Sequence, residues 1–250
     1  MKFEGKVALI TGGNTGIGQA TALLFAREGA KVMIVGRREK EGEATVDSIK
    51  KAGGVAAFVK ADVSKEDDCR TMVARTVELY GRLDIAFNNA GIGRAGKLIA
   101  DEDEAGFVSV LATNLLGAFL SMKHEIPAML ANGGGAIVNT ASVSGLVASP
   151  GQSAYIASKH GLLGLTKAAA LEYAKQGIRV NAICPAATRT EMVKRWFAMP
   201  GVEERVTAAM PAGRIAEPEE VAKAVLFLSG DGSSYVSGHP LVIDGGFVAQ

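Results

Sequence analysis

Short runs of β-branched and aliphatic residues recur along this chain, separated by longer amphipathic stretches. This alternation narrows the fold more than any other feature. The runs lie at 7–10, 32–35, 55–59, 83–87, 136–138, 178–183 and 241–243. Most are continuously apolar, which marks strands covered on both faces, as in a parallel sheet. Helical periodicity fills 16–29, 38–52, 64–80, 101–131, 153–176 and 218–229. The pattern predicts an α/β fold: a doubly wound, seven-stranded parallel sheet with helices on both faces and right-handed crossovers. Gly29, Gly53, Gly81 and Gly177 each follow a helical stretch, where a left-handed cap favours glycine.

The chain has 250 residues, 48% of them apolar, and carries no linker, repeat or low-complexity tract. One domain over 1–250 is therefore expected. The irregular part is 184–217, which holds Pro185, Pro200, Pro211 and Gly213 beside Trp196, Phe197, Met199 and Met210. A connection this long and this apolar is expected to carry function, here as a substrate-binding loop region.

Composition excludes several roles. A formal charge of +1 gives no electrostatic basis for a nucleic-acid or anionic-membrane partner. Cys69 and Cys184 are too few and too far apart for a disulfide framework, which favours a reducing compartment. His124, His160 and His239 are scattered, so no metal site is expected. The N-terminus lacks a signal-peptide pattern, and the longest apolar helical stretch, 115–122, is short and interrupted by Gly117 and Ser121. A cytoplasmic location is the expectation.

After the first strand comes Thr11-Gly12-Gly13-Asn14-Thr15-Gly16-Ile17-Gly18, followed by a helix. A glycine-rich turn between strand and helix can set a pyrophosphate on the helix N-terminus, where free N–H groups and the helix dipole favour an anion. The spacing is G-x-x-x-G-x-G. At the end of the second strand, where a carboxylate would hold a ribose 2′-hydroxyl, stand Gly36, Arg37 and Arg38. Arginine can bind a 2′-phosphate with paired charge-assisted bonds, so NADP(H) is preferred, with NAD(H) possible. The plainer alternative leaves both arginines solvated at the start of a charged helix.

Four polar residues invite a chemical reading. Tyr155 and Lys159 share a helix face, and a nearby ammonium lowers a phenol pKa. Ser142 follows the fifth strand, on the carboxyl edge where such sheets bind ligands. Asn114 lies in an otherwise apolar helical stretch, so it needs a hydrogen-bonding job.

With Asp62-Val63, Asn88-Asn89-Ala90-Gly91, Tyr155-Ile156-Ala157-Ser158-Lys159 and the tail 238–246, these motifs occur in an order that resembles the short-chain dehydrogenases/reductases. The resemblance spans about Lys6 to Gly246 and implies a Rossmann-type fold and an NAD(P)-dependent oxidoreductase acting on CH–OH or C=O groups. It makes Tyr155 the general acid for reduction and base for oxidation. Lys159 would lower the Tyr155 pKa and bond the nicotinamide ribose, Ser142 would hold the substrate oxygen, and Asn114 would anchor a water. It places Gly12, Asn14, Thr15, Gly16, Ile17, Gly18, Arg37, Arg38, Asp62, Val63, Asn89, Ala90, Gly91, Tyr155, Lys159, Pro185, Thr188 and Thr190 at the cofactor. Two positions depart from the family pattern. Ala186 stands where glycine is usual, and Thr188 where valine or isoleucine is usual.

The substrate pocket would be bounded by Val143 to Gln152, by Gly93-Arg94-Ala95 and by the loop after Pro185, with Val143, Gln152 and Trp196 as contacts. Its mostly apolar walls suit a hydrophobic small-molecule ketone, aldehyde or alcohol. Trp196 and Phe197 could equally pack a short amphipathic helix. A 3-oxoacyl carrier-protein reductase is the alternative, disfavoured by the uncharged end of the long helix, 128–135. A non-catalytic NADP(H)-binding regulator is the remote one, disfavoured because all four polar residues are present. The resemblance also implies a homotetramer. Helix 153–176 carries Ala157, Gly161, Leu162, Gly164, Leu165, Ala168, Ala169 and Leu171 over more than one face.

Overall fold

The structure, a computed structural model, describes residues 1–94 and 96–250. Ala95, one of the expected pocket boundaries, lies outside the described residues. Every apolar run forms a strand: β1 Val7–Thr11, β2 Lys31–Gly36, β3 Val55–Lys60, β4 Ile85–Asn88, β5 Gly135–Thr140, β6 Ile178–Pro185 and β7 Pro240–Ile243. They pair in parallel, in the order β3-β2-β1-β4-β5-β6-β7. The order reverses between β1 and β4, and the crevice beyond their carboxyl ends is where such a sheet receives a ligand. Register sets Thr11 beside Asn88, and Asn88 beside Asn139, along that edge.

The helices are α1 Gly16–Arg27, α2 Glu39–Lys51, α3 Glu66–Tyr80, α4 Glu104–Leu111, α5 Gly117–Leu130, α6 Ser153–Tyr173, α7 Glu191–Phe197, α8 Val202–Ala208 and α9 Pro218–Ser229. Gly29, Gly53, Gly81 and Gly177 are all left-handed, with φ between 79° and 92°. Strand side chains alternate between faces. Ala8 and Ile10 join Phe25, Phe87, Val221 and Val225 on one side, while Leu9 joins Met72, Leu83, Met129 and Ile137 on the other. Each large apolar side chain buried there contributes about 1.5–3 kcal/mol.

Two expectations need correction. The segment expected as one helix over 101–131 starts at Glu104, capped by the Asp103 side chain, which accepts from the Gly106 N–H at 2.7 Å. A π-turn at Ala112–Leu116 then separates α4 from α5. Also, 184–217 is not one irregular loop, because it contains α7 and α8. From Glu104 to Leu130 the chain is helical for 27 residues and, by length and composition, could cross a membrane. Half of its apolar window is buried within the fold, as in a core helix.

Candidate active site and nucleotide cleft

The turn after β1 ends on the N-terminus of α1. Thr15, the N-cap, makes no side-chain cap bond, and the first turn carries no acid. The leading N–H groups thus lack a carboxylate partner, which suits an anion. The turn is tight: a Cβ on Gly18 would lie 2.3 Å from the Gly12 carbonyl oxygen. The Thr11 hydroxyl, which sequence reasoning did not single out for a role, fixes the neighbouring loop. Its Oγ1 accepts from the N–H of Asn89 at 2.9 Å and of Ala90 at 3.1 Å. Asn89 Nδ2 donates back to the Thr11 carbonyl at 3.1 Å. The residues over which a dinucleotide pyrophosphate would lie are therefore held by neighbouring strands.

Gly36 closes the β2 end. A Cβ there would meet Asn14 Oδ1 at 3.0 Å, so a carboxylate at 36 would press on the buried Asn14. Arg38 donates to Thr15 Oγ1 at 3.1 Å and pairs with Glu41 at 3.4 Å. Arg37 pairs with Asp62 at 3.8 Å, with most of its side chain in solvent. The Asp62 carboxyl sits below its ordinary range: burial raises it, but bonds from Ser64 and the Arg37 charge outweigh that. Val63 is buried next to it.

The four polar residues converge from three places: the end of β5, the π-turn and α6. Ser142 follows β5 and caps a 3₁₀ turn, Val143–Gly145, by accepting from the Ser144 N–H at 3.1 Å. It is buried beside the Tyr155 phenol, and its hydroxyl donates to the Pro185 carbonyl at 3.4 Å. Tyr155 stands half-buried in the first turn of α6. Burial pushes its phenol above the ordinary value, and the Ser142 bond offsets only part of this. The ammonium effect expected from the sequence is outweighed here because Lys159 faces elsewhere. Its Nζ donates to the Thr140 carbonyl at 2.6 Å and lies 5.4 Å from the Tyr155 ring centre. Burial brings the Lys159 ammonium down to about 8.

Asn114 is buried in the π-turn. Its Oδ1 accepts from the Ile92 N–H at 2.8 Å. Its Nδ2 donates to the Ile92 carbonyl at 3.0 Å and to Ser158 Oγ at 3.2 Å. Ser158 in turn donates to the Tyr155 carbonyl at 2.7 Å. The hydrogen-bonding job expected of Asn114 is thus partly filled by protein, tying the Gly91 loop to α6. A cavity of about 10 Å³, room for one water centre, is lined by Asn114, Thr140, Asn88 and Thr11.

Of the expected substrate contacts, Val143 is buried behind Ser142, Gln152 is the N-cap of α6, and Trp196 is half-buried, packed on Phe197 at 6.2 Å. The α7 segment reaches the rest of the site elsewhere. Thr190 caps α7 and sits against Gly16, 3.0 Å from where a Cβ would stand, and Met192 sulfur lies 3.2 Å from the same point on Gly93. Thr188 is buried, its hydroxyl donating to the Ala186 carbonyl at 3.1 Å. Its backbone pairs with Ala216, which binds this loop to the chain before α9. The contributions of Thr140 and Ser158 were hidden in the sequence: one acts through a carbonyl, and the other through its bond with Asn114, 44 residues away.

The fold and these motifs define a protein class, and comparison with known proteins agrees. A family model described as enoyl-(acyl carrier protein) reductase matches residues 12–248. The A-factor type γ-butyrolactone 1′-reductase (1S-forming) of Streptomyces virginiae is 48% identical over 97% of this chain and 95% of its own. Cyclohexanol dehydrogenase of Acinetobacter sp. (strain SE19) is 43% identical over 100% and 97%. The crystal structure of levodione reductase superposes with a TM-score of 0.95 at 38% identity, covering 99% of both chains. The chain belongs to the short-chain dehydrogenase/reductase family, whose members are dehydrogenases and reductases that use nicotinamide cofactors.

Proposed function

We propose that this enzyme is an NADP(H)-dependent reductase/dehydrogenase that interconverts a weakly polar, ring-bearing ketone and its secondary alcohol. The observation that carries the reading is the convergence of Ser142, Tyr155 and Lys159 beside the glycine-rich cleft. Bound NADPH supplies the hydride. The glycine turn from Gly12 to Gly18, with Asn14, Thr15 and Ile17, would hold it with Asp62, Val63, Asn89, Ala90, Gly91, Pro185, Thr188 and Thr190. Arg37 and Arg38 would take the 2′-phosphate, exchanging their present partners for a dianion. Gly36 supports that choice, since it leaves no carboxylate to repel the phosphate, and a side chain there would press on Asn14.

The protein's own groups handle the proton. Tyr155 Oη donates to the substrate oxygen in reduction and accepts in oxidation. Burial holds it protonated at neutral pH, as an acid requires. The Ser142 hydroxyl, once it turns from the Pro185 carbonyl, steadies the oxygen as charge develops. Lys159, once it turns from the Thr140 carbonyl toward Tyr155, stabilises the phenolate. Asn114 keeps the Gly91 loop against α6 and borders the cavity through which a water can replace that proton.

Exposed Leu146, Val147 and Met199 add apolar surface around the entrance. Cyclohexanol dehydrogenase, a relative, is named for a ring alcohol. A homotetramer fits the surface: Ala157, Gly164, Ala168 and Leu171 form an exposed stripe on α6, beside exposed Val108, Leu116 and Phe119 of the α4–α5 helix. The test follows nicotinamide absorbance with NADPH and NADH over cyclic ketones, open-chain ketones and a 3-oxoacyl thioester. Fast turnover of cyclic ketones with NADPH is expected. Preference for the thioester overturns the substrate class, and equal use of both cofactors overturns the arginine assignment.

A further inference from the structure

Beneath the site lies a buried carboxyl group that the chemistry above does not use. Glu125 on α5 is fully enclosed, at 0% exposure. Its one protein bond is to Asn88, whose Nδ2 donates to Oε2 at 3.0 Å. The same Nδ2 donates to Asn139 Oδ1 at 3.1 Å, and Asn139 Nδ2 donates to Thr166 Oγ1 at 3.0 Å. A polar chain thus crosses the core from α5 through β4 and β5 to α6. Two oxygens in it have no donor, Glu125 Oε1 and Asn88 Oδ1. They belong to the same two side chains that already share one bond. Both protons of the Asn88 amide are spent, so no amide donor remains for either oxygen. Turning the Asn88 amide over would set oxygen against oxygen and again call for a proton on Glu125.

A single hydrogen on Glu125 would satisfy both orphaned atoms. We propose that Glu125 is held as the protonated acid and donates its hydroxyl to Asn88 Oδ1, closing a cyclic acid–amide pair that positions the two turns carrying the site. Asn88 leads directly into Asn89-Ala90-Gly91, and Asn139 leads into Thr140, whose carbonyl holds Lys159. Glu125 touches none of the reacting groups, so it is a positioning residue. The surroundings agree with a neutral acid, since burial raises its pKa to about 8 against the partial effect of the Asn88 bond. The other titratable group facing it is Cys69 of α3, a thiol that burial pushes up to about 11. Lys123, on the same helix, pairs instead with Glu66, and His124 Nε2 lies toward the same carboxylate at 3.6 Å. No cation is therefore placed to hold a carboxylate here among the described residues, and a bare buried charge would be costly.

The inference rests on the oxidoreductase reading only for its positioning role, and its tests need no substrate. In infrared difference spectra, wild type minus E125Q, a deuterium-sensitive carbonyl band of a protonated carboxylic acid is expected. Its absence across neutral pH overturns the proposal. Thermal stability against pH gives a second readout. Glu125 binds its proton more tightly folded than free, so between about 4.5 and about 8 only the unfolded chain releases it. Wild type should therefore lose stability relative to E125Q as pH rises through that window, and the difference should level off above it. Parallel pH curves refute the protonation. Glutamine can rebuild the ring with its own N–H, whereas leucine cannot. By cofactor fluorescence titration, E125L should bind NADPH about tenfold more weakly, the effect of ~1.4 kcal/mol, and E125Q should bind as wild type. If E125L does not fold, the E125Q comparison still decides. E125Q binding as weakly as E125L, or E125L binding as wild type, overturns the positioning role.

Discussion

The Thr11 hydroxyl offers a direct measure of how tightly the sheet edge governs the cofactor loop. Valine has nearly the same shape, so Thr11→Val removes the oxygen without opening a cavity. Thr11 is 1% exposed, and its Oγ1 is the acceptor for the N–H groups of Asn89 and Ala90. Each stranded donor costs ~1–3 kcal/mol, so the pair should cost about 2–6 kcal/mol. A mid-range loss of about 4 kcal/mol lowers Tm by roughly 8–16 °C in a chain of this length. Thr11→Ser keeps the acceptor and loses one buried methyl, about 1 kcal/mol. Denaturant unfolding at fixed protein concentration should rank wild type, then serine, then valine. NADPH affinity should fall in the same order, because the displaced N–H groups belong to the cleft. If valine and serine variants agree within ~1 kcal/mol, the two bonds do not carry the loop and the argument fails.

Other outcomes follow from the same geometry. Tyr155→Phe should retain the fold and cofactor binding while kcat falls roughly 10²–10⁴-fold, the usual reach of a general acid; stopped-flow turnover checks this. Ser142→Ala should lower kcat by ~10²–10³ and also disturb the 3₁₀ turn it caps, visible as a modest loss of Tm. Lys159 is an ammonium below about 8 and neutral above it, so in Lys159-dependent steps kcat should decline as pH rises through about 8. The same lowered pKa means the unfolded chain holds that proton longer, so stability should rise with pH between about 8 and 10.5; Lys159→Met should abolish both trends. Replacing Arg37 and Arg38 by serine should weaken NADPH binding far more than NADH, and equal weakening in a titration would refute their assignment. Leu171, 83% exposed on α6, should be silent for folding yet critical for assembly, so Leu171→Glu should shift the species seen by light scattering toward smaller oligomers.

Much of this protein is written locally. A continuously apolar run of five residues can rest only between two covering layers, so β1 to β7 were legible, as was their parallel pairing. Glycine past a helix end and glycine between β1 and α1 announce a left-handed cap and an anion-binding turn, because only that residue tolerates those conformations and close approaches. Tyr155 and Lys159 are four apart, and helical geometry alone puts them on one face. What the tertiary structure decided is how groups distant along the chain meet. The π-turn at Ala112–Leu116 is invisible to periodicity, since it follows from Asn114 reaching back to Ile92 across 22 residues. The region 184–217 read as irregular because its prolines are local signals, whereas α7 is seated by contacts of Thr190 with Gly16 and Met192 with Gly93, and the loop before it by the Thr188–Ala216 bridge. The phenol expected to be acidified is instead pushed up, because burial is a property of the assembled site. Glu125 reads in sequence as one more charge on a helix, and only the packed interior, with Asn88 beside it and no cation in reach among the described residues, makes it a neutral acid.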